Sequence, residues 1–300
     1  MILLLIITTL LAGSYLNKQE MPGAELTTEY EQKLERGIKA FYKADWDEAR
    51  IVFEELKEDD ENDPRAYFFD AMIPFWKYFF AGEPSESAEA FLEKSEIALE
   101  TGKKRMDEDP GDTTTVLMMG GLYGYRGLVA AGERQYRTAV RSGASGYSYT
   151  RKLMQMSSDN PDALIGQGVF HYMVGTVPGE VRWLVNMIGL RGDKETGFEK
   201  LEEASQTETY TSSDARMILT YLYHEEEKFG DALRIVEPLV QQWPENIIFR
   251  YYYALSLEKT GNKDDAREQY RTILENDHPE LSAIRTKGEE RLREIMASAE

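Results

Sequence analysis

The 300-residue chain contains no cysteine. Disulfides, thiolate metal sites, iron–sulfur clusters and a cysteine nucleophile are therefore excluded. Histidine is nearly absent: His171, His224 and His278 are scattered, and none has a partner at the spacing of a helical HExxH zinc site. No G-x-S-x-G elbow occurs, since GASGYS at 143–148 has the wrong spacing. Strand signals are scarce, with no sustained alternation and no Asn-Gly or Asp-Gly hairpin between β-rich runs. Positive charge is in short supply: 35 Lys+Arg face 54 Asp+Glu, a net charge of -19. That field argues against nucleic acid as a partner, because neutralising phosphates takes clustered Lys and Arg. The acidic runs EDDENDP (58–64) and DEDPGD (107–112) fail as calcium loops, with Pro64 and Asp112 where the loop needs glycine. They read as solvated turns between helices. With 42% hydrophobic and 30% charged residues the chain has the composition of a folded soluble protein, not a disordered one.

One apolar run stands apart. Residues 2–12, ILLLIITTLLA, are followed by Gly13, Ser14 and a polar stretch. Eleven residues fall short of the ~20 that cross a bilayer. The run fits the core of a secretory signal peptide, with Ala12 and Ser14 at the -3 and -1 positions of a cut after Ser14. The amino terminus alone supplies the positive charge ahead of the core. LLAGS resembles a lipobox, but Ser14 stands where the lipidated cysteine must be. The expectation is a signal peptide over 1–14, a linker over 15–29 and export to a bacterial periplasm or envelope. Membrane association would then involve the N-terminal segment only.

The remainder is punctuated by acidic or amide residues near proline: NDP at 62–64, EDPGD at 108–112, DNPD at 159–162, WPEN at 243–246 and DHPE at 277–280. The proline-to-proline steps are 46, 51, 83 and 35 residues. Each proline suits the first turn of a helix and each preceding Asp or Asn suits an N-cap. Between them the apolar spacing is helical. Ile248, Tyr251, Tyr252, Leu255 and Lys259 share one track, and Phe249, Tyr253 and Leu257 fill the opposite side. A helix apolar on two sides is sandwiched between neighbours. Pro74, inside AYFFDAMIPFWKYFF, should break or kink its helix.

Three units also share an internal spacing: a small residue, a second one twelve residues on, a bulky residue four later and an apolar one three after that. They are Gly37, Ala49, Phe53 and Leu56; Thr220, Ala232, Val236 and Leu239, then Pro244; and Ala254, Ala266, Tyr270 and Ile273. A fourth, partial unit has Gly197, Leu201 and Ala204. Ala232 and Ala266 lie 34 residues apart. This pattern resembles the tetratricopeptide repeat (TPR), a helix–turn–helix unit whose helices cross at the small residues. The stretch Gly166–Ala204 looks like part of a divergent TPR family of exported bacterial proteins, distantly like the tetratricopeptide-repeat-39 group. The resemblance implies an all-α solenoid over 30–300: about six hairpins plus a C-terminal capping helix. Repeats are clear over about 30–61 and 196–279, and longer hairpins are expected at 64–107, 112–157 and 161–205.

Such solenoids bind peptides or protein segments on their concave side. The expected role is an exported, non-enzymatic binding or scaffold protein without a cofactor or metal. Regular stacking would put Met217, Tyr221, His224, Tyr251, Leu255 and Lys259 in the groove, with Leu34, Ile38, Phe41 and Tyr42 at its front. Thr113–Ser158 is locally basic, with Arg126, Arg134, Arg137, Arg141, Arg151 and Lys152 against Glu133. Tyrosines such as Tyr123 are interleaved. This stretch reads either as a site for an anionic group, such as an acidic partner segment, or as a helix paired with acidic neighbours such as Glu86–Glu100. MMGGLYGYRGL carries Gly120, Gly121, Gly124 and Gly127, a stripe for close helix contact rather than a phosphate loop. Arg182 and Trp183 lie on a segment after Pro178 with a greasy face of Val181, Leu184, Val185 and Ile188. It is either an extra packed helix or a docking patch. Two alternatives remain: carriage of a lipid or other apolar ligand between hairpins, prompted by the aromatic run Tyr67–Phe80, and a helical hydrolase using His171 with Glu180 or Arg182.

Overall fold

A computed structural model describes residues 24–156, 163–177, 191–207 and 211–297, with Gly179, Arg182, Trp183 and Met187 between them. The expected signal peptide lies outside the described residues, as do Glu180 and the greasy positions 181, 184, 185 and 188. Among the described residues the chain is helical and no strand occurs. Six antiparallel hairpins follow one another. They are α1 (Ala24–Lys43) with α2 (Trp46–Asp59), α3 (Pro64–Trp76) with α4 (Ser85–Glu108), and α5 (Thr113–Gly132) with α6 (Tyr136–Met156). Next come α7 (Ala163–Gly175) with α8 (Lys194–Ser205), α9 (Thr211–Glu225) with α10 (Phe229–Gln242), and α11 (Ile247–Lys259) with α12 (Lys263–Glu275). A 3-10 turn, Pro279–Leu281, leads into a capping helix α13 (Ser282–Ala297). Among the described residues no helix is long and apolar enough to cross a membrane.

Local chemistry explains the starts and stops. Pro64 opens α3, with Asp63 accepting from the Arg65 amide at 2.9 Å. After Pro110 and Pro244 the cap comes two residues later, on Asp112 and Asn246. There the proline ends the preceding segment and an Asp or Asn begins the next helix. Pro161 lies outside the described residues. The tight turn inside a hairpin is repeated four times. Ala44, Arg134, Glu227 and Gly261 all have positive φ, between 56° and 91°. The amide after each bonds back five residues, as in Asp45→Ala40, Gln135→Ala130, Lys228→Tyr223 and Asn262→Leu257. This is the Schellman closure, which favours glycine at the left-handed residue. Pro74 does not break α3. The helix runs past it and relaxes into a π-turn over Lys77–Ala81, a usual response to a lost amide donor.

The small residues sit at the helix crossings. A Cβ on Gly37 would lie 2.6 Å from the Phe53 ring, and one on Gly168 would lie 2.9 Å from the Gly197 carbonyl. Ala49, Thr220, Ala232, Ala254 and Ala266 have no exposed surface.

The two ends of the array meet. Trp76 of α3 packs edge-on against Phe249 of α11, and Phe79 lies 4.8 Å from Tyr221 of α9, ring to ring. Tyr42 stacks on Trp243 at 5.4 Å, and its carbonyl accepts from the Asn246 amide group at 2.8 Å. On the outside, Arg50 of α2 holds Glu280 by two hydrogen bonds of 2.7 and 2.5 Å, and Lys77 approaches it at 3.3 Å. Hydrogen bonding to Arg50 pulls the Glu280 carboxyl down to about 2, against the opposing effect of burial.

Two outcomes are expected. Because Glu280 is depressed from 4.5 to about 2, its contribution is present above pH ~4.5 and is lost as pH falls through about 2. Glu280→Gln should therefore cost on the order of 2 kcal/mol near neutral pH and flatten the acid limb of the denaturation profile across that window. Urea unfolding at several pH values measures it, and equal stability of the two proteins at pH 7 would refute the lock. Glu227→Gly should stabilise the chain by about 0.5–1 kcal/mol through relief of the left-handed turn, read from the shift in urea midpoint.

Candidate functional site

The basic stretch does not assemble into one patch. Arg126 faces inward and is internally paired, donating to the Leu92 carbonyl at 2.6 Å and Ser95 Oγ at 2.8 Å and lying 2.8 Å from Glu96. The acidic-neighbour alternative thus holds for this residue. Arg134 is the left-handed turn residue before α6 and does not share a helix face with the others. Arg137 and Arg141 are exposed, one turn apart on α6, and have no ionic partner among the described residues. Tyr123 stacks on Tyr149 at 5.6 Å.

The expected groove is largely filled. Leu34, Ile38, Phe41, Tyr42, Met217 and Tyr251 are buried. Regular stacking would have left them facing solvent; here the first hairpins press into the inner face of the last. Tyr251 packs between Tyr252 and Tyr270, and Tyr221 against Phe79. His224 lies below the surface and hydrogen-bonds Ser256 through Nε2 at 2.9 Å. Burial drops its pKa to about 4, so it is neutral at physiological pH.

Among the described residues His171 has no hydrogen-bonded acid: its Nδ1 lies 3.9 Å from Asp193, beyond hydrogen-bond range, and Glu180 lies outside the described residues. Arg182 is spent on the Gly175 carbonyl at 2.6 Å, and Trp183 is 60% exposed. Among the described residues no group of His, Asp and Glu is arranged to hold a metal. The two acidic turns, far apart in sequence, converge beside Tyr30, where Arg65 pairs with Asp63 and Glu31 and Arg105 with Asp112. Of the two runs, Asp63 and Asp112 are paired with arginines, while Glu58, Asp60, Glu61, Asp107, Glu108 and Asp109 are exposed.

What remains open is an apolar cavity of about 400 Å³ where the middle hairpins face the closed end. The glycines of α5 and α6 shape it in two ways. A Cβ on Gly146 would come within 3.0 Å of the Gly124 amide, and one on Gly127 within 3.4 Å of the Ala139 carbonyl, so these two let the helices touch backbone to backbone. Gly124 and Gly143 also line the cavity, but a Cβ there would meet nothing within 4 Å. The remaining wall includes Phe68, Leu117, Leu153, Val169 and Phe170. Tyr147 stacks on Phe170 at 3.9 Å and ties α6 to α7.

The inner end carries a carboxyl group. Asp214, in the first turn of α9, accepts from the Tyr42 hydroxyl at 2.9 Å and lines the cavity. It is half-buried. Desolvation raises its pKa to about 7 despite the Tyr42 hydrogen bond. Sequence reading missed Asp214, which looks like any acid in a helix's first turn. Its partner Tyr42 is 172 positions away.

Hairpins of this length, crossing at small residues and stacked in chain order, define a helical-repeat protein. Residues 160–288 match the family model Iml2/Tetratricopeptide repeat protein 39. The chain is a protein of the tetratricopeptide-repeat superfamily, distantly like the tetratricopeptide-repeat-39 group. Among solved structures it is similar to a thermophilic TPR protein of Thermus thermophilus, with 17% identity and a TM-score of 0.46 over 76% of this chain and 98% of that one. It is also similar to the TPR domain of P58(IPK), with 13% identity and a TM-score of 0.27 over 89% and 99%.

The raised Asp214 carboxyl has a definite consequence for stability. A folded-state pKa of about 7 against an ordinary 3.8 means the folded chain holds this proton longer than the unfolded one. The contribution is therefore full below pH ~3.8 and is lost as pH rises through about 7. Asp214→Asn should gain thermal stability relative to the native chain between about pH 5 and 8, by roughly 2–4 °C for each kcal/mol recovered. A melting-temperature difference independent of pH would contradict this placement of the carboxyl group.

Proposed function

We propose that the chain is an exported, non-enzymatic scaffold that binds a protein partner along the exposed apolar stripe of α6 that borders the cavity, together with Trp183 and Met187. The TPR fold supports a protein-interaction role, and the signal-like run 2–12 supports export to a bacterial envelope. The observation that carries the location is the distribution of exposed apolar residues. Of nine large hydrophobic side chains exposed among the described residues, six lie between 136 and 187: Tyr136, Val140, Met154, Met173, Trp183 and Met187. Tyr136, Val140 and Met154, at multiples of about four and seven, share one face of α6, and such an apolar stripe supports an interaction surface. Arg137 and Arg141 are exposed beside that stripe on α6, with no ionic partner among the described residues in a chain of net charge -19. A partner segment with apolar and acidic residues complements both features, since arginine binds carboxylate through its planar fork. This replaces the filled groove as the working surface.

The test is site-specific. A photo-crosslinking residue at Val140 should capture a discrete polypeptide in the envelope fraction, and the same residue at Ile97, exposed on α4, should not. Arg137→Glu with Arg141→Glu should reduce the Val140 adduct at least tenfold, about 1.4 kcal/mol or more of binding energy, while leaving the melting curve unchanged. Equal crosslinking from both positions, or full-length chain confined to the cytoplasm, would overturn the proposal.

A further inference from the structure

The apolar cavity is organised around a single charge. Among the described residues lining it, Asp214 is the one charged group, with no lysine, arginine or histidine to answer it. The cavity has a direction. Tyr42, which bonds Asp214, is 1% exposed, whereas Val140 and Met173, also on the wall, are 72% and 41% exposed. A carboxyl group at the inner end of an apolar space is costly unless its lone pairs meet donors. Tyr42 supplies one, on Oδ2, and a carboxylate can accept several. The second observation comes from glycine. Glycine inside a helix lowers its stability, and at Gly127 and Gly146 close helix contact explains it. At Gly124 and Gly143 no neighbour needs the room, and the absent side chains simply leave space in the wall.

The geometry points to a binding site for a single-chain amphiphile whose polar end donates hydrogen bonds, an aliphatic amine foremost, with its head on Asp214 and its chain running out past Gly124 toward Val140 and Met173. The volume of about 400 Å³ lies at the lower end of small-molecule sites, enough for one chain. The sign of the charge selects the head group. An ammonium neutralises Asp214, while a fatty-acid carboxylate would confront it with no cation nearby. The groups facing Asp214 from the packed helices are the phenols Tyr42 of α1 and Tyr125 of α5, neither of which offers positive charge. The acidic field of the whole chain also concentrates cations around it. Burial holds the empty site partly protonated near neutrality, so an amine binds as an ion pair and an alcohol can still donate to the carboxyl. Nothing in this inference rests on the scaffold reading.

The purified full chain can be titrated calorimetrically, at about pH 8 where Asp214 is ionised, with dodecylamine, 1-dodecanol and dodecanoate, each below its micelle concentration. Dodecylamine should bind tightest and dodecanoate at least tenfold more weakly. Dodecanol binding as tightly as the amine also supports the site, and identifies a neutral donor as the preferred head. Asp214→Asn should weaken dodecylamine at least tenfold while changing dodecanol by no more than about twofold. Gly124→Leu should abolish binding of both without lowering the melting temperature, and Gly143→Leu serves the same purpose if the first variant is poorly folded. Dodecanoate binding as tightly as the amine, an unchanged amine affinity in Asp214→Asn, or binding that survives in a folded cavity-filling variant would each overturn the inference.

Discussion

Trp76, Phe79 and Phe80 of the second hairpin are driven against Phe249, Tyr221 and Tyr252 of the fifth and sixth, and this aromatic seam governs the rest of the molecule. A solenoid that merely stacks neighbour on neighbour keeps one face open along its length. Here the inner face at the ends is used up by the ends themselves. The Tyr252 hydroxyl reaches the Phe80 carbonyl across 172 positions, and Arg50 reaches Glu280 across 230. Large aromatics suit the task because each buries about 150–250 Å² and orients by edge-to-face contact. The outer ion pair adds register: one bidentate Arg–carboxylate contact fixes where the first hairpin meets the cap.

The local half of this architecture was legible in the sequence. The turn at Lys43–Trp46, the small residues Gly37 and Ala49, and the caps near Pro64 and Pro244 are decided by near neighbours, so spacing alone reveals them. Pairing of α5 with α6 was equally readable from Gly120 to Gly127, because glycines three and four apart make a flat helix face. Closure of the array was not readable. Nothing near Tyr42 or Glu280 signals a partner two hundred residues away, and a helix apolar on two sides looks the same whether its second side meets a neighbouring repeat or the far end of the chain. Tyr42, which spacing places at the front of an open groove, is buried against Trp243 for that reason. Arg126 shows the same difficulty at short range: its place in a locally basic stretch leaves open whether it faces a ligand or a neighbour, and its side chain turns into α4 to reach the Leu92 carbonyl. The positive φ of Arg134 could have been inferred from alignment of the four hairpin turns, since it occupies the place of Gly261.

Closure and cavity are consequences of one another. Where α3 is wedged into the last hairpins the inner face is filled, and the cavity lies beside it, walled mainly by α5, α6 and α7. The α5–α6 pair cannot collapse inward to follow, because its helices already touch backbone to backbone at Gly127 and Gly146. A close-packed interior resists small displacements, so the unfilled volume persists rather than relaxing away. Bulkier residues at Gly124 or Gly143 would fill it without disturbing either contact, which makes their absence a feature of the wall and not of the helix crossing.

Tyr42 joins the two halves of this argument in one side chain. Its ring stacks on Trp243, its carbonyl receives the Asn246 side chain, and its hydroxyl donates to Asp214. The first two contacts belong to closure and the third to the cavity. Loosening the seam would move the donor away from Asp214 and leave a desolvated carboxyl with a weaker partner, raising the cost of ionising it further. A ligand that neutralises Asp214 would in turn favour the closed arrangement, since it binds where closure has brought Tyr42 onto Asp214. The polar end of the cavity is thus tied to the long-range packing that holds the array together, through residues from the first and fifth hairpins that adjacent repeats alone would never bring into contact.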